Sequence, residues 1–329
     1  MTDSRFPKRN YAPRPKATGA AARRPAGDRR PPLERRTPGA ARTPAHDAPA
    51  TPADGPPAAS TPAAAGSPPQ GVQAHTAWDR QATWYDALQG ADGDDFYREL
   101  ILPTVLKRLA LRSGERVLDL GCGQGVLGRA LAAQGISSVG IDASPALIGA
   151  AHARAGERET HLLGDARRAG AILKAANVPV PFAHATLIMA LQDLDPLAPV
   201  LHEVAAATAP GGRVVIALTH PCFRIPRLSS WGWDAQKSVQ YRRMDGYMSA
   251  VAAPIRTHPG TAPAGDSTTS FHRPLSTYIT ACGASGLAVT AADELCSHRR
   301  GTRGPKFGAE DRAAREFPLF IVLTCVRIR

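Results

Sequence analysis

Two rhythms of apolar and polar positions run along this chain. Short apolar runs closed by glycine, proline or polar residues read as strands: Arg116–Leu120, Ser138–Ile141, Thr160–Leu163, His184–Ala190 and Arg213–Leu218. Segments with apolar residues three and four apart lie between them and read as helices: Val126–Ala133, Pro145–Ala155, the stretch after Ala166 to Ala176, and Leu197–Thr208. Gly135 closes the first of these helices, while Ser144 caps the second, with Pro145 in its first turn. Arg213–Leu218 is almost continuously apolar, as expected of a strand covered on both faces. Strand–helix alternation of this kind predicts an α/β fold, a doubly wound and mostly parallel sheet.

The pattern is less regular on either side. Trp78–Leu88 predicts a short helix or ordered strap, and Asp95–Leu111 an amphipathic helix through Phe96, Leu100, Val105 and Leu109. Together they suggest an N-terminal helical cap over 76–111. After His220 the alternation breaks, and residues 220–285 read as an insertion after strand five, a substrate lid. Within that span Pro274–Ser285 returns to helix; beyond it Leu287–Ala291 and Phe317–Arg327 add strands, seven in all.

Residues 1–75 carry 12 Lys/Arg against 5 Asp/Glu and half of the chain's 30 prolines. With so few large apolar side chains, this segment cannot bury enough surface to offset its ordering entropy and is expected to be a disordered basic tail. Residues 76–329 hold the folded domain. The five cysteines form no C-x-x-C pair, so neither a zinc site nor a disulfide framework is indicated; reduced thiols in the cytoplasm fit best. No apolar run is long enough to span a membrane. Nothing in the sequence speaks to oligomeric state.

The chemistry concentrates in Val117–Gly125 (VLDLGCGQG). An acid, Asp119, precedes three alternating glycines, which allow backbone angles closed to other residues and let the main chain touch a ligand. Gly123, Gly125 and Gly128 also satisfy the G-x-G-x-x-G pattern of dinucleotide sites, where a diphosphate sits on a helix N-terminus. Both readings expect a second acid roughly 20 residues on, and Asp142 supplies it. The glycines alone do not choose between them. Asp119 favours a cationic ligand group, which a nicotinamide dinucleotide lacks at that place.

Asp119, the glycine turn, Asp142, the Gly164–Ala166 turn and Ala209–Arg213 follow one another in an order that resembles the class I S-adenosylmethionine (AdoMet) methyltransferases. The resemblance is strong over 116–219 and extends in outline over 76–329. It implies AdoMet as cofactor, held by Asp119, Gly121, Cys122 and Gly123 around the methionine part. Asp142 would take the ribose, with Ala143 and Ser144 beside the adenine, and Asp165 with Ala166 the adenine amino group. Ala190, Leu191 and Gln192 would lie under the sulfonium, with Tyr85 of the Trp84–Asp86 strap over the cofactor. It also implies a reversed final strand beside strand six. The chain is similar in particular to the small-molecule branch that includes quinone-biosynthesis methyltransferases, which implies a small-molecule methyl acceptor.

Each of these residues has a plainer role. Asp119 and Asp165 could cap turns, and Cys122 reads better as a small spacer than as a nucleophile. His220, after strand five, and His272 are the candidate catalytic bases, with satisfied structural histidines as the alternative. Trp78, Trp84, Trp231 and Trp233 could wall a substrate or fill a small core. Arg224, Arg227, Arg242 and Arg243 could meet an anionic group or face solvent. No metal site is expected. The basic tail could tether RNA by counterion release, but its only aromatics are Phe6 and Tyr11, and Leu191–Pro196 lacks the D/N-P-P-Y/F run of base N-methyltransferases. Nucleic acid is therefore not the favoured partner. An RNA methyltransferase and a non-catalytic AdoMet- or nucleotide-binding module remain the alternatives to a small-molecule enzyme.

Overall fold

In the computed structural model, which describes residues 78–255, 267–301 and 303–328, the apolar runs pair into one seven-stranded sheet. The chain runs through α1 (Ala82–Gln89), α2 (Leu102–Leu109), β1 (Arg116–Leu120), α3 (Val126–Ala132), β2 (Ser137–Asp142), α4 (Pro145–His152) and β3 (Glu159–Leu163). It continues through α5 (Ala169–Ala175), β4 (Phe182–Ile188), α6 (Leu197–Ala207) and β5 (Thr208–Thr219). Then come β6 (Ser229–Asp234), β7 (Val239–Met244), β8 (Val251–Ile255), β9 (Thr268–His272), α7 (Leu275–Ala284), β10 (Leu287–Leu295), α8 (Phe307–Glu316) and β11 (Phe320–Arg327).

The strand order is β10-β11-β5-β4-β1-β2-β3. β11 is antiparallel to both β5 and β10; the four pairings among β5, β4, β1, β2 and β3 are parallel. The predicted doubly wound fold with a reversed final strand is thus what forms. Alternate strand residues supply its two faces. Leu118, Leu187, Ile216 and Leu323 pack with Leu173, Leu201 and Tyr278 from α5, α6 and α7. Val117, Val215, Ala217 and Val322 pack with Val105, Leu109, Leu127 and Leu131 from α2 and α3. Each of the leucine, isoleucine and valine side chains among them contributes roughly 1.5–3 kcal/mol by leaving water.

Several expected boundaries move. β5 starts at Thr208, so the Pro210–Gly212 turn is taken into the strand, with a register irregularity opposite Phe182 and His184. The first long helix contains a π-helical turn at Tyr97–Ile101 before α2, which packs on the sheet. The cap over the crevice is therefore narrower than 76–111. Likewise α7 belongs to the sheet layer, since Tyr278 and Cys282 are core residues. Of the lid expected over 220–285, the described residues outside the sheet layer are the loop after β5 and two small hairpins, β6–β7 and β8–β9. The α8 helix has no counterpart in the expected elements. The expected disordered tail, residues 1–75, lies outside the described residues.

Candidate active site

Strand order reverses at β1, whose neighbours are β4 and β2, and the crevice at the carboxyl ends of these strands is where open α/β sheets take ligands. Here β1 delivers Asp119, β2 delivers Asp142 and β4 leads into Ala190–Asp193. The glycine turn fits among them because side chains would not. A Cβ on Gly121, whose φ is +76°, would lie 2.4 Å from the Ala190 Cβ. Below the turn, Cys122 rests on Gly140, where an added Cβ would come within 2.7 Å of its sulfur. Burial pushes the Cys122 thiol well up, consistent with a spacer.

The amides of this turn are already committed. Gly121 N and Cys122 N donate to Ile141 O, Gly125 N to Cys122 O, and Gly123 N to Asp142 Oδ2 at 2.9 Å. These bonds hold the turn in shape but leave the first amides of α3 open, so what speaks against a diphosphate is the buried acid Asp119 at the end of β1. The other Asp142 oxygen, Oδ1, accepts from Ser144 N at 2.9 Å. Burial raises Asp142 above the usual carboxylate range, against the pull of those two amides. Asp119 is buried, with Oδ1 accepting from Thr186 Oγ1 at 2.7 Å. Desolvation pushes its pKa up to about 7, partly opposed by the Thr186 hydroxyl.

Above the turn lies α1, tied down by three side chains. Gln124 Nε2 donates to Gly90 O, Arg129 donates to Ala91 O, and Arg154 forms a two-pronged pair with Asp86. Tyr85 on this helix would be 3.7 Å from a Cβ on Gly123, and Trp78 meets the Tyr85 ring edge-on at 5.3 Å.

A cavity of about 1810 Å³ opens from these residues toward the hairpins. Tyr85, Gly121, Gly123, Asp142, Ala143, Asp165, Ala166, Ala190 and Gln192 line it, whereas Asp119 and Cys122 line a small recess beneath the turn. Two other expected residues stand behind the wall. Ser144 is fully buried as the cap of α4 and donates to Asp79, and Leu191 is a core residue. Asp165 lines the cavity, but Arg167 grips its carboxylate; that pair outweighs the cost of burial and holds the acid below its ordinary range.

Neither candidate histidine is brought to the cavity. His220 is fully buried; Nε2 meets Glu294 Oε1 at 2.9 Å, and Nδ1 accepts from Cys222 N at 3.1 Å, so both ring nitrogens are engaged. His272 is buried with Nε2 on Tyr247 O at 2.8 Å. The structural alternative describes both better than the catalytic one. In their place the cavity holds Asp193, an acid that sequence reading passed over. It accepts a hydrogen bond from Ser270, and burial pushes its pKa up to about 7. Trp78, Trp84 and Trp231 line the cavity; Trp233 instead stacks with Lys306. Among the described residues no cluster of His, Cys, Asp and Glu could hold a metal, and no helix is long and apolar enough to cross a membrane. All five cysteines are free.

Residues 94–250 match a family described as a methyltransferase domain. An S-adenosylmethionine-dependent methyltransferase of Mesorhizobium loti superposes with a TM-score of 0.53 at 25% identity, over 72% of this chain and 100% of the other. Residues 94–250 thus form a methyltransferase domain of the class I, AdoMet-dependent type. A second structure of the same fold, a putative methyltransferase in complex with the Trm112 activator of Haloferax volcanii, gives 0.51 at 19% identity, over 77% and 96% of the two chains. Among curated proteins, the ubiquinone biosynthesis O-methyltransferase of Pseudomonas aeruginosa is 33% identical over 105 residues, 32% of this chain and 44% of its own length. That of Xylella fastidiosa is 35% identical over 116 residues, 35% and 46% of the two lengths. The chain thus spans less than half the length of the curated relatives it matches.

AdoMet is the cofactor of this methyltransferase family, and the residues present fit it. The Asp142 carboxylate uses one acceptor site per oxygen on backbone amides, leaving lone pairs for hydroxyl donors. Asp119 is a buried acid whose ionised form needs a cation. A dinucleotide offers the first kind of partner but not the second.

Proposed function

We propose that the protein transfers a methyl group from AdoMet to an oxygen, nitrogen or carbon nucleophile of a small molecule held between the glycine turn and the hairpins. One observation carries this reading. The cavity that contains Asp142 and Ala190 continues without a break to Asp193, Arg224 and Trp231, and at about 1810 Å³ it exceeds the few hundred to about 1,000 Å³ usual for one ligand. A module that only binds cofactor would need no such second chamber.

In this reading Asp119 takes the ammonium of AdoMet, Asp142 the ribose hydroxyls, and Asp165 with Ala166 the adenine edge. Ala190 and Gln192 form the floor beneath the sulfonium, and Tyr85 closes the top. AdoMet, when bound, supplies an activated methyl group and its own leaving group. The protein's part is then to hold the acceptor in line and exclude water, which can lower the barrier substantially. Asp193 is placed to take the acceptor's proton, and a pKa near neutrality suits a general base. The O-methyltransferase relatives favour oxygen as the acceptor atom.

The test uses labelled AdoMet against a cell extract split into small-molecule and RNA fractions. Label in the small-molecule fraction is expected. Label in RNA alone, lost when residues 1–75 are removed, would replace this reading with an RNA methyltransferase.

A further inference from the structure

The residues that line the far chamber differ in charge from those around the glycine turn. Three arginines of the insertion reach it: Arg224 from the loop after β5, Arg227 from the same loop, and Arg242 from β7. None has a carboxylate partner within ion-pair distance among the described residues. Several arginines elsewhere pair with acids, as in Arg108–Asp293, Arg154–Asp86, Arg167–Asp165 and Arg273–Asp195, while others such as Arg129 and Arg213 rest on carbonyl oxygens.

Arg242 and Arg227 are anchored by carbonyl or hydroxyl oxygens. Arg242 donates to Phe223 O and Ser229 Oγ, and Arg227 to Pro254 O. Arg224 differs. It is half-buried, and its guanidinium lies over the Phe320 ring with 5.0 Å to the centroid. Only its backbone amide has a described hydrogen bond, to His220 O. Asp94 is the acid that attracts it, yet Asp94 is already occupied by Tyr97 N and Gln89 Nε2. Burial and the like charge of Arg242 both disfavour a second cation here.

A half-buried guanidinium stacked on an aromatic ring, beside another cation and with no carboxylate within ion-pair distance among the described residues, is incomplete. Its five N–H donors form a planar fork that matches a carboxylate or a phosphate. Trp231 and Phe320 stand beside the two guanidinium groups and offer flat apolar walls.

We propose that the methyl acceptor is a small aromatic or planar anion, whose carboxylate or phosphate group is bound by Arg224 with Arg242 in support. This assignment rests on the methyltransferase reading and narrows its acceptor. Anchoring the anion at Arg224 leaves the opposite edge of the ring free to face Asp193 and Ala190, which line the same cavity.

The test is calorimetry on the full-length protein saturated with S-adenosylhomocysteine, titrated with benzoate, phenyl phosphate and neutral benzamide. At least one anion is expected to bind ten times more tightly than benzamide or better; which one identifies the anionic group. Arg224→Gln should remove that advantage and leave S-adenosylhomocysteine affinity unchanged, while Arg224→Lys retains part of it. Equal binding of anions and benzamide, no binding of either anion, or an advantage that survives Arg224→Gln in cofactor-binding protein would each overturn the proposal. Failure to bind S-adenosylhomocysteine at all would instead sink the methyltransferase reading on which it stands.

Discussion

At the glycine turn, a single carboxylate, Asp142, satisfies the amides of Gly123 and Ser144, and three side chains fasten α1 across the top. At the hairpins, the cavity is lined by side chains whose own backbones pair only two strands deep. The first region is built around main-chain contacts that fix its shape, whereas the second is built from long side chains on thin supports. In the proposed reading, the former meets the methyl donor and the latter the acceptor.

The sharpest way to break this contrast is Asp142→Ala. It strips two buried amides of their acceptor and removes the partner proposed for the ribose. AdoMet affinity measured by calorimetry should fall roughly 100-fold or more, given about 1.5–3 kcal/mol per charged hydrogen bond. Unchanged affinity would remove Asp142 from the site. Asp193→Asn should act on the other region alone. We expect kcat to drop about 100-fold with AdoMet affinity intact, the range typical of a lost general base. Parallel losses in both would show that Asp193 supports structure instead.

Proton linkage separates the regions further. Because burial raises Asp119 to about 7, the ligand-free fold binds this proton more tightly than the unfolded chain does. Its contribution to stability is complete below the ordinary carboxylate range and is lost as pH rises toward 7. Binding of an ammonium requires the ionised acid, so AdoMet affinity should move the other way. It should weaken by up to about tenfold per pH unit below 7, with protons released on binding. A flat profile between pH 5.5 and 7.5 would deny Asp119 this role. The smallest effect is expected from Trp231→Ala, a half-exposed wall residue. A several-fold rise in acceptor KM with unchanged cofactor affinity would place it on the acceptor side; a change in cofactor affinity would erase the distinction.

What the sequence disclosed follows the same division. Asp119, the glycines and Asp142 were legible because each sits at the end of an apolar strand, where spacing alone places it. The hairpins were not. The β7 residues Val239–Met244 alternate for only four positions, too short a run to mark a strand, and their apolar side chains end up exposed. The α8 helix carries a narrow apolar face around Ala309 and Ala313; its run of alanine, glutamate and arginine and the Asp311–Arg315 pair, four residues apart, were the signals that could have revealed it. Asp193 sits in a short turn after β4, where no periodicity points, and only its burial in the folded chain distinguishes it from a solvated acid. His220 misled for the converse reason. Its place after β5 suited catalysis, but a distant acid, Glu294 of β10, claims its ring.

The position of β11 has a consequence for how the molecule is made. This strand lies between β5 and β10, yet it follows β5 by about a hundred residues of intervening chain. Until it arrives, β5 presents an unpaired apolar edge, open to neighbouring nascent chains. The half of the sheet that bears the glycine turn has no such wait, since β1 to β5 are consecutive. Assembly should therefore proceed outward from β1–β5, with β11 closing the seam last.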